Sequence, residues 1–124
     1  MSKNILVIDD ELMIRETFSE YLKAYGYNVF TAENGQNGLE KIKMFIGNNT
    51  SIDVVFSDIH MPVMNGLDML NEIRKLNFST YFVFITGYYS DLDEESLRKE
   101  GVNEVLFKPV ELKQLVDTIE HKVN

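Results

Sequence analysis

The chain has 124 residues, 20 of them acidic and 12 basic, for a formal net charge of −8, and it contains no cysteine. That length suits one domain around a single core and is too short for two. The acidic balance argues against a direct nucleic-acid partner, because affinity for phosphate backbones comes from clustered Lys and Arg, and the lack of cysteine excludes disulfides and thiolate metal sites. Met1-Ser2-Lys3-Asn4 leads straight into an apolar run with no signal-peptide core, and no apolar stretch approaches a membrane span, so a cytoplasmic protein without membrane contact is expected.

Residues 4–8, Asn4-Ile5-Leu6-Val7-Ile8, predict a first strand that ends at Asp9-Asp10. Ile14, Phe18, Tyr21, Leu22 and Tyr25 then recur at helical spacing up to Gly26, a residue suited to a helix C-terminus. Residues 28–32 give a second strand, and Asn34-Gly35 turns into a second helix with the stripe Leu39, Ile42 and Ile46, closing near Gly47-Asn48-Asn49. The third run, 52–57, stops at Asp58 and meets the breaker-rich stretch Ile59-His60-Met61-Pro62-Val63-Met64-Asn65-Gly66. Leu67, Leu70 and Ile73 mark the third helix, and Tyr81 to Thr86 is a run apolar on both faces, as a central strand requires.

The fourth helix, about Asp91 to Glu100, is the weakest, with Leu92 and Leu97 as its only large apolar residues. A fifth strand, residues 104–107, runs into Lys108-Pro109, and Leu112, Leu115, Val116, Ile119 and Val123 form the last helical stripe. Strand and helix alternate five times, which defines an α/β class with a doubly wound parallel sheet between two helical layers. No linker or repeat interrupts residues 1–124, so a single domain without an attached output domain is expected. The aromatic residues Phe18, Tyr21, Tyr25 and Phe45 fall on helical stripes and read as core.

Chemistry collects at the strand tips. In parallel α/β sheets the carboxyl ends of the strands share one edge, so Asp9-Asp10, Asp58, Thr86 and Lys108 converge although far apart in sequence. Carboxylates supply the hard oxygen ligands Mg²⁺ takes, one carboxylate can act as a nucleophile, and an ammonium can neutralise phosphoryl oxygens. Each residue also has a plainer reading: Asp58 as a turn residue, Asp9 or Asp10 as a helix N-cap, Thr86 as a β-branched strand residue, Lys108 as a solvated lysine. His60 tempts a ligand role for its ring, and His121 reads as a surface residue.

Taken together, Ile8-Asp9-Asp10-Glu11, Asp58-Ile59-His60-Met61-Pro62-Val63-Met64-Asn65-Gly66, Thr86-Gly87 and Lys108-Pro109 resemble the response-regulator receiver domain of two-component signalling over essentially the whole chain. The resemblance implies a flavodoxin-like sheet of order 2-1-3-4-5 and a phosphoacceptor, Asp58, served by a histidine kinase or histidine phosphotransfer protein. It further implies Mg²⁺ held by Asp9, Asp10, Asp58 and the backbone carbonyl of His60. Thr86 and Lys108 would contact the phosphoryl oxygens, the Lys108-Pro109 bond would be cis, and output would go to a downstream protein. Two rivals fit less well. An aspartate-nucleophile phosphatase of the haloacid-dehalogenase kind needs Asp-x-Asp-x-Thr at the first strand, and a flavodoxin-like FMN module needs a Ser/Thr/Gly-rich loop where this chain places acids. A pseudo-receiver scaffold would not need the full set of acids, hydroxyl and lysine.

Two departures from the family concern signalling rather than the phosphoacceptor. Many receivers carry Tyr or Phe three residues before the lysine, where Val105 stands here. Phe107 is not an obvious substitute, so Tyr88 or Tyr89 is expected to supply the moving aromatic surface. The bulk of Tyr88 and His60, each two residues beyond a site residue, implies slow self-dephosphorylation.

Overall fold

The computed structural model describes residues 2–87 and 94–123. Strands β1 (Asn4–Ile8), β2 (Asn28–Ala32), β3 (Val54–Ser57), β4 (Tyr81–Thr86) and β5 (Glu104–Phe107) alternate with helices α1 (Leu12–Ala24), α2 (Gly35–Gly47), α3 (Gly66–Lys75), α4 (Glu94–Lys99) and α5 (Leu112–Lys122). All ladders are parallel, in the order β2-β1-β3-β4-β5. The alternation read from the sequence therefore closes into the expected doubly wound sheet.

The period-2 alternation of the strands sorts the core into two layers. Ile5 and Val7, Val54 and Phe56, and Val83 and Ile85 face α1 and α5, where Phe18, Leu22, Leu115, Val116 and Ile119 cover them. Leu6, Ile8, Val55, Phe82 and Phe84 face the other way, against Leu39, Ile42 and Phe45 of α2, Met69, Leu70 and Ile73 of α3, and Leu97 of α4. Phe56, Phe82 and Phe84 are fully buried, and burying each side chain of that size contributes roughly 1.5–3 kcal/mol. The central strands are thus the rigid platform on which the strand tips stand.

Helix starts follow local chemistry. Asn34 and Asn65 each accept the main-chain N–H three residues on, at 2.9 Å, and Glu111 and Gln114 form a reciprocal capping box. Helix α1 has Glu11 as its N-cap, without a side-chain cap, so neither Asp9 nor Asp10 is the cap that one reading of the sequence allowed.

Other expectations need correcting at the helix ends. Tyr25 is 54% exposed and Ile46 is 40% exposed, so neither joins the core; Tyr25 follows the last residue of α1, and the buried face of α2 runs through Leu39, Ile42 and Phe45, leaving Ile46 beside it. Strand β3 begins at Val54, two residues later than the apolar run, although Ile52 is still buried. Of the fourth helix, six residues are seen, Glu94–Lys99, with Leu97 buried; its expected start at Asp91, and Leu92, lie outside the described residues.

Candidate functional site

Two ladder-like bonds carry the sheet one residue past its strands. The Asp9 N–H donates to the Ala32 carbonyl at 3.2 Å, and the Asp58 N–H donates to the Ile8 carbonyl at 3.0 Å. Both aspartates are consequently fixed to the platform, at neighbouring strand tips. Asp9 is 3% exposed and Asp58 is 9% exposed, whereas Asp10 lies on the solvent side.

Each oxygen of Asp58 has a defined partner. Oδ1 accepts the main-chain N–H groups of Ile59 at 2.7 Å and His60 at 3.3 Å, and Oδ2 accepts Lys108 Nζ at 2.9 Å. Lys108 Nζ also reaches Asp9 Oδ2 at 3.4 Å, while Asp9 Oδ1 accepts the Glu11 N–H at 2.9 Å. Carboxylate oxygens of Asp9, Asp10 and Asp58 all lie within 4.8 Å of one another.

The loop after β3 is shaped by close main-chain approach. A Cβ on Gly66 would stand 2.4 Å from the Asp58 carbonyl oxygen, and the Gly66 N–H donates to the Ile59 carbonyl at 2.8 Å. Only glycine fits there. Between them, the Met64 N–H donates to the Pro62 carbonyl at 2.8 Å around Val63, whose φ is 68°. The Met64 carbonyl in turn accepts the Gly35 N–H at 2.9 Å, tying the loop to the start of α2.

Thr86 closes β4 and is fully buried. Its carbonyl accepts the Lys108 N–H at 2.8 Å, and the Lys108-Pro109 bond is cis. The hydroxyl-bearing residue and the lysine are therefore linked through the main chain at adjoining strand ends.

Charge at the site is unbalanced. Burial is the largest influence on Asp9 and, with the like charge of Asp58, pushes its carboxyl above the usual aspartate range, although the Glu11 amide and Lys108 pull the other way. Burial alone would lower Lys108, but its bond to Asp58 and the charges of Asp58 and Asp9 outweigh that and raise it. Lys108 thus pairs with two of the three carboxylates, and Asp10 stands beside them. A donor set of three carboxylate oxygens within this span suits one hard divalent cation such as Mg²⁺, which takes oxygen ligands and tolerates retained waters.

Of the residues singled out in the sequence, Asp9, Asp10, Asp58 and Lys108 come together, and Thr86 adjoins them. His60 takes part through its main chain, with its side chain exposed. Val105 is buried in the layer against α2, α3 and α4, and Phe107 packs against the same layer; Tyr88 and Tyr89 lie outside the described residues. The sequence reading passed over Arg15, whose Nη1 donates to the Asp9 carbonyl at 2.7 Å. A basic residue one turn into the helix after an acidic strand tip was the signal available.

A doubly wound sheet of order 2-1-3-4-5 with an acid trio and a lysine on its carboxyl edge defines a flavodoxin-like α/β fold with an acidic strand-tip site. The chain belongs to the response regulator receiver domain family, whose model matches residues 5–120. It is 34% identical to the sensor kinase CckA of Brucella abortus over 95% of its length, and 33% identical to a CpxR homolog, a transcriptional regulatory protein of Haemophilus influenzae, over 96%. It spans 12% of the first of these relatives and 49% of the second, so it matches half or less of each. Among solved structures, a CheY-like receiver domain from Methanospirillum hungatei superposes with a TM-score of 0.85 at 30% identity, covering 98% of this chain and 94% of that one. A receiver domain from Clostridium thermocellum gives 0.81 at 39% identity, covering 95% and 91%. Among the described residues, no helix is long and apolar enough to cross a membrane.

Proposed function

We propose that this receiver is a phosphoacceptor switch in which Asp58 takes a phosphoryl group from a phosphohistidine of a histidine kinase or phosphotransfer protein. The observation that carries this reading is the setting of the Asp58 carboxylate, held by two main-chain N–H groups on one oxygen and by Lys108 on the other, with Asp9 and Asp10 alongside. A carboxylate oriented in this way can attack phosphorus in line; the new O–P bond forms as the P–N bond breaks, and the imidazole leaves with a proton.

Asp9, Asp10, Asp58 and the His60 carbonyl would hold Mg²⁺, which when bound neutralises charge on the phosphoryl oxygens and relieves repulsion among the acids. Lys108 releases Asp58 Oδ2 and pairs with a phosphoryl oxygen, and the Thr86 hydroxyl donates to another. The main-chain bond between Thr86 and Lys108 makes the two respond together. Phosphorylation then biases a two-state equilibrium, read by a downstream protein on the face of α4, β5 and α5. As one receiver unit in the cytoplasm, it modifies itself rather than turning over an external metabolite, and it signals by protein contact without touching nucleic acid.

Intact mass after incubation with acetyl phosphate, with and without Mg²⁺, tests the reading. Wild type should gain one phosphoryl group only when Mg²⁺ is present, and Asp58→Asn should gain none. Equal phosphorylation of the variant, or indifference to Mg²⁺, would overturn it.

A further inference from the structure

Asp10 is the exposed member of the acid trio, so packing does not aim its carboxylate and the main chain must. The Asp9-Asp10 peptide is one rigid plane, and fixing its carbonyl oxygen restrains where the Asp10 Cα stands, from which the side chain departs. Arg15 does this from the first turns of α1: its Nη1 donates to the Asp9 carbonyl at 2.7 Å, while its own N–H bonds the Glu11 carbonyl at 3.1 Å. On the other side, the Asp9 N–H is held by the Ala32 carbonyl. Both ends of the Asp9 residue are thereby clamped, one by β2 and one by Arg15.

We infer that Arg15 is a positioning residue of the metal site, holding the Asp9-Asp10 peptide plane so that the Asp10 carboxylate meets those of Asp9 and Asp58. This rests on the reading of the acid trio as a Mg²⁺ site. Two effects of the guanidinium oppose each other. Its positive charge disfavours a nearby cation, yet Arg15 is half-exposed and that repulsion is screened by solvent. Its short charge-assisted hydrogen bond is a direct contact at 2.7 Å, so positioning wins and loss of Arg15 weakens the metal. Supporting partners beyond the ligands typically carry about 10-fold or more in metal affinity.

Calorimetric titration of the full chain with Mg²⁺ alone tests this, alongside thermal melts without the metal. Arg15→Ala should bind about 10-fold more weakly, and Arg15→Lys, which can still donate to the carbonyl, should recover part of the loss. Arg15→Gln, with a neutral donor, should fall between Lys and Ala. Amide spectra of the apo protein should show the Asp10 resonance shifted in Arg15→Ala, with strand resonances unmoved. An affinity within twofold of wild type, or a tighter one in Arg15→Ala, would overturn the assignment, as would a loss that Arg15→Lys and Arg15→Gln share in full. If wild type binds no Mg²⁺, or Asp10→Asn binds as wild type does, the metal reading itself fails and the role of Arg15 falls with it.

Discussion

Two lysine–carboxylate pairs of equal length sit at opposite edges of the sheet. At the carboxyl edge, Lys108 Nζ lies 2.9 Å from Asp58; at the amino edge, Lys122 Nζ lies 2.9 Å from Glu104. The surroundings differ. Glu104, buried at the start of β5, also accepts the Tyr81 hydroxyl at 3.3 Å and the Thr118 hydroxyl at 3.4 Å, so one carboxylate meets three donors from β4 and α5. Lys108 instead meets Asp58 and Asp9 with Asp10 beside them. The amino edge is electrostatically closed and fastens α5 to the sheet, while the carboxyl edge keeps surplus negative charge. An ion pair's meaning is set by its neighbours, not by its length.

The sharpest way to break this contrast is to delete each cation or acid and ask whether Mg²⁺ notices. Removing one partner of a buried pair leaves the other uncompensated, so Lys108→Met should cost about 3 kcal/mol of unfolding free energy without divalent ions. Urea denaturation at neutral pH should show Mg²⁺ restoring most of it. Glu104→Ala should cost about 2 kcal/mol, from the buried Thr118 hydroxyl and the partly buried Tyr81 hydroxyl deprived of their acceptor, while Lys122, whose side chain is half exposed, turns to water. Its loss should not change with Mg²⁺. Equal sensitivity of the two variants to the metal would erase the distinction.

The carboxyl edge was legible in the sequence because each of its residues follows an apolar run, and parallel topology does the rest: Asp9, Asp10, Asp58, Thr86 and Lys108 needed no knowledge of side-chain packing. The amino-edge cluster was not legible. Glu104 stands at a core-facing position two residues before Leu106, a hint of a buried acid, but its partners Thr118 and Lys122 arrive only once α5 crosses back along the sheet. Tyr25 and Ile46 fall outside the core for local reasons: Tyr25 stands one residue past the end of α1, and the stripe Leu39, Ile42 can continue at helical spacing to position 45 or 46, of which the fold buries Phe45. The Val63 turn gave no sequence signal, as the left-handed conformation there falls on a β-branched residue.

The surplus charge itself can be titrated. Because burial raises Asp9 in the folded chain above the ordinary value of 3.8, the native state holds more protons than the unfolded state between that value and the raised one. Its contribution to stability is therefore fully present below pH 3.8 and lost as pH rises through the folded pKa. Lys108, also raised, contributes throughout the neutral range and loses its contribution only under alkaline conditions. Without divalent ions, Asp9→Asn should thus be about 1 kcal/mol more stable than wild type at pH 7, with the gap closing toward pH 4. A variant less stable at pH 7 would mean that the bond to Lys108 outweighs the cost of burying the charge.

The smallest expected effect concerns backbone strain, which divides between the two edges as charge does. Beyond the helix C-termini, at the amino edge, the positive-φ positions are Gly26, Asn49, Asn77 and Gly101, residue types that accept this conformation. At the carboxyl edge the position among the described residues is Val63, 82% exposed, with φ at 68° and its neighbours Pro62 and Met64 bonded across it. A β-branched side chain there costs about 1 kcal/mol or more, and almost no packing compensates. Val63→Gly relieves that cost but gives the unfolded chain more freedom, which takes back about half. The net gain should be about 0.5 kcal/mol by urea denaturation, with Mg²⁺ affinity unchanged because the loop stays tied by Gly35 and Gly66. A destabilised Val63→Gly would show that the valine is held by contacts worth more than its strain, and the asymmetry between the edges would then be one of charge alone.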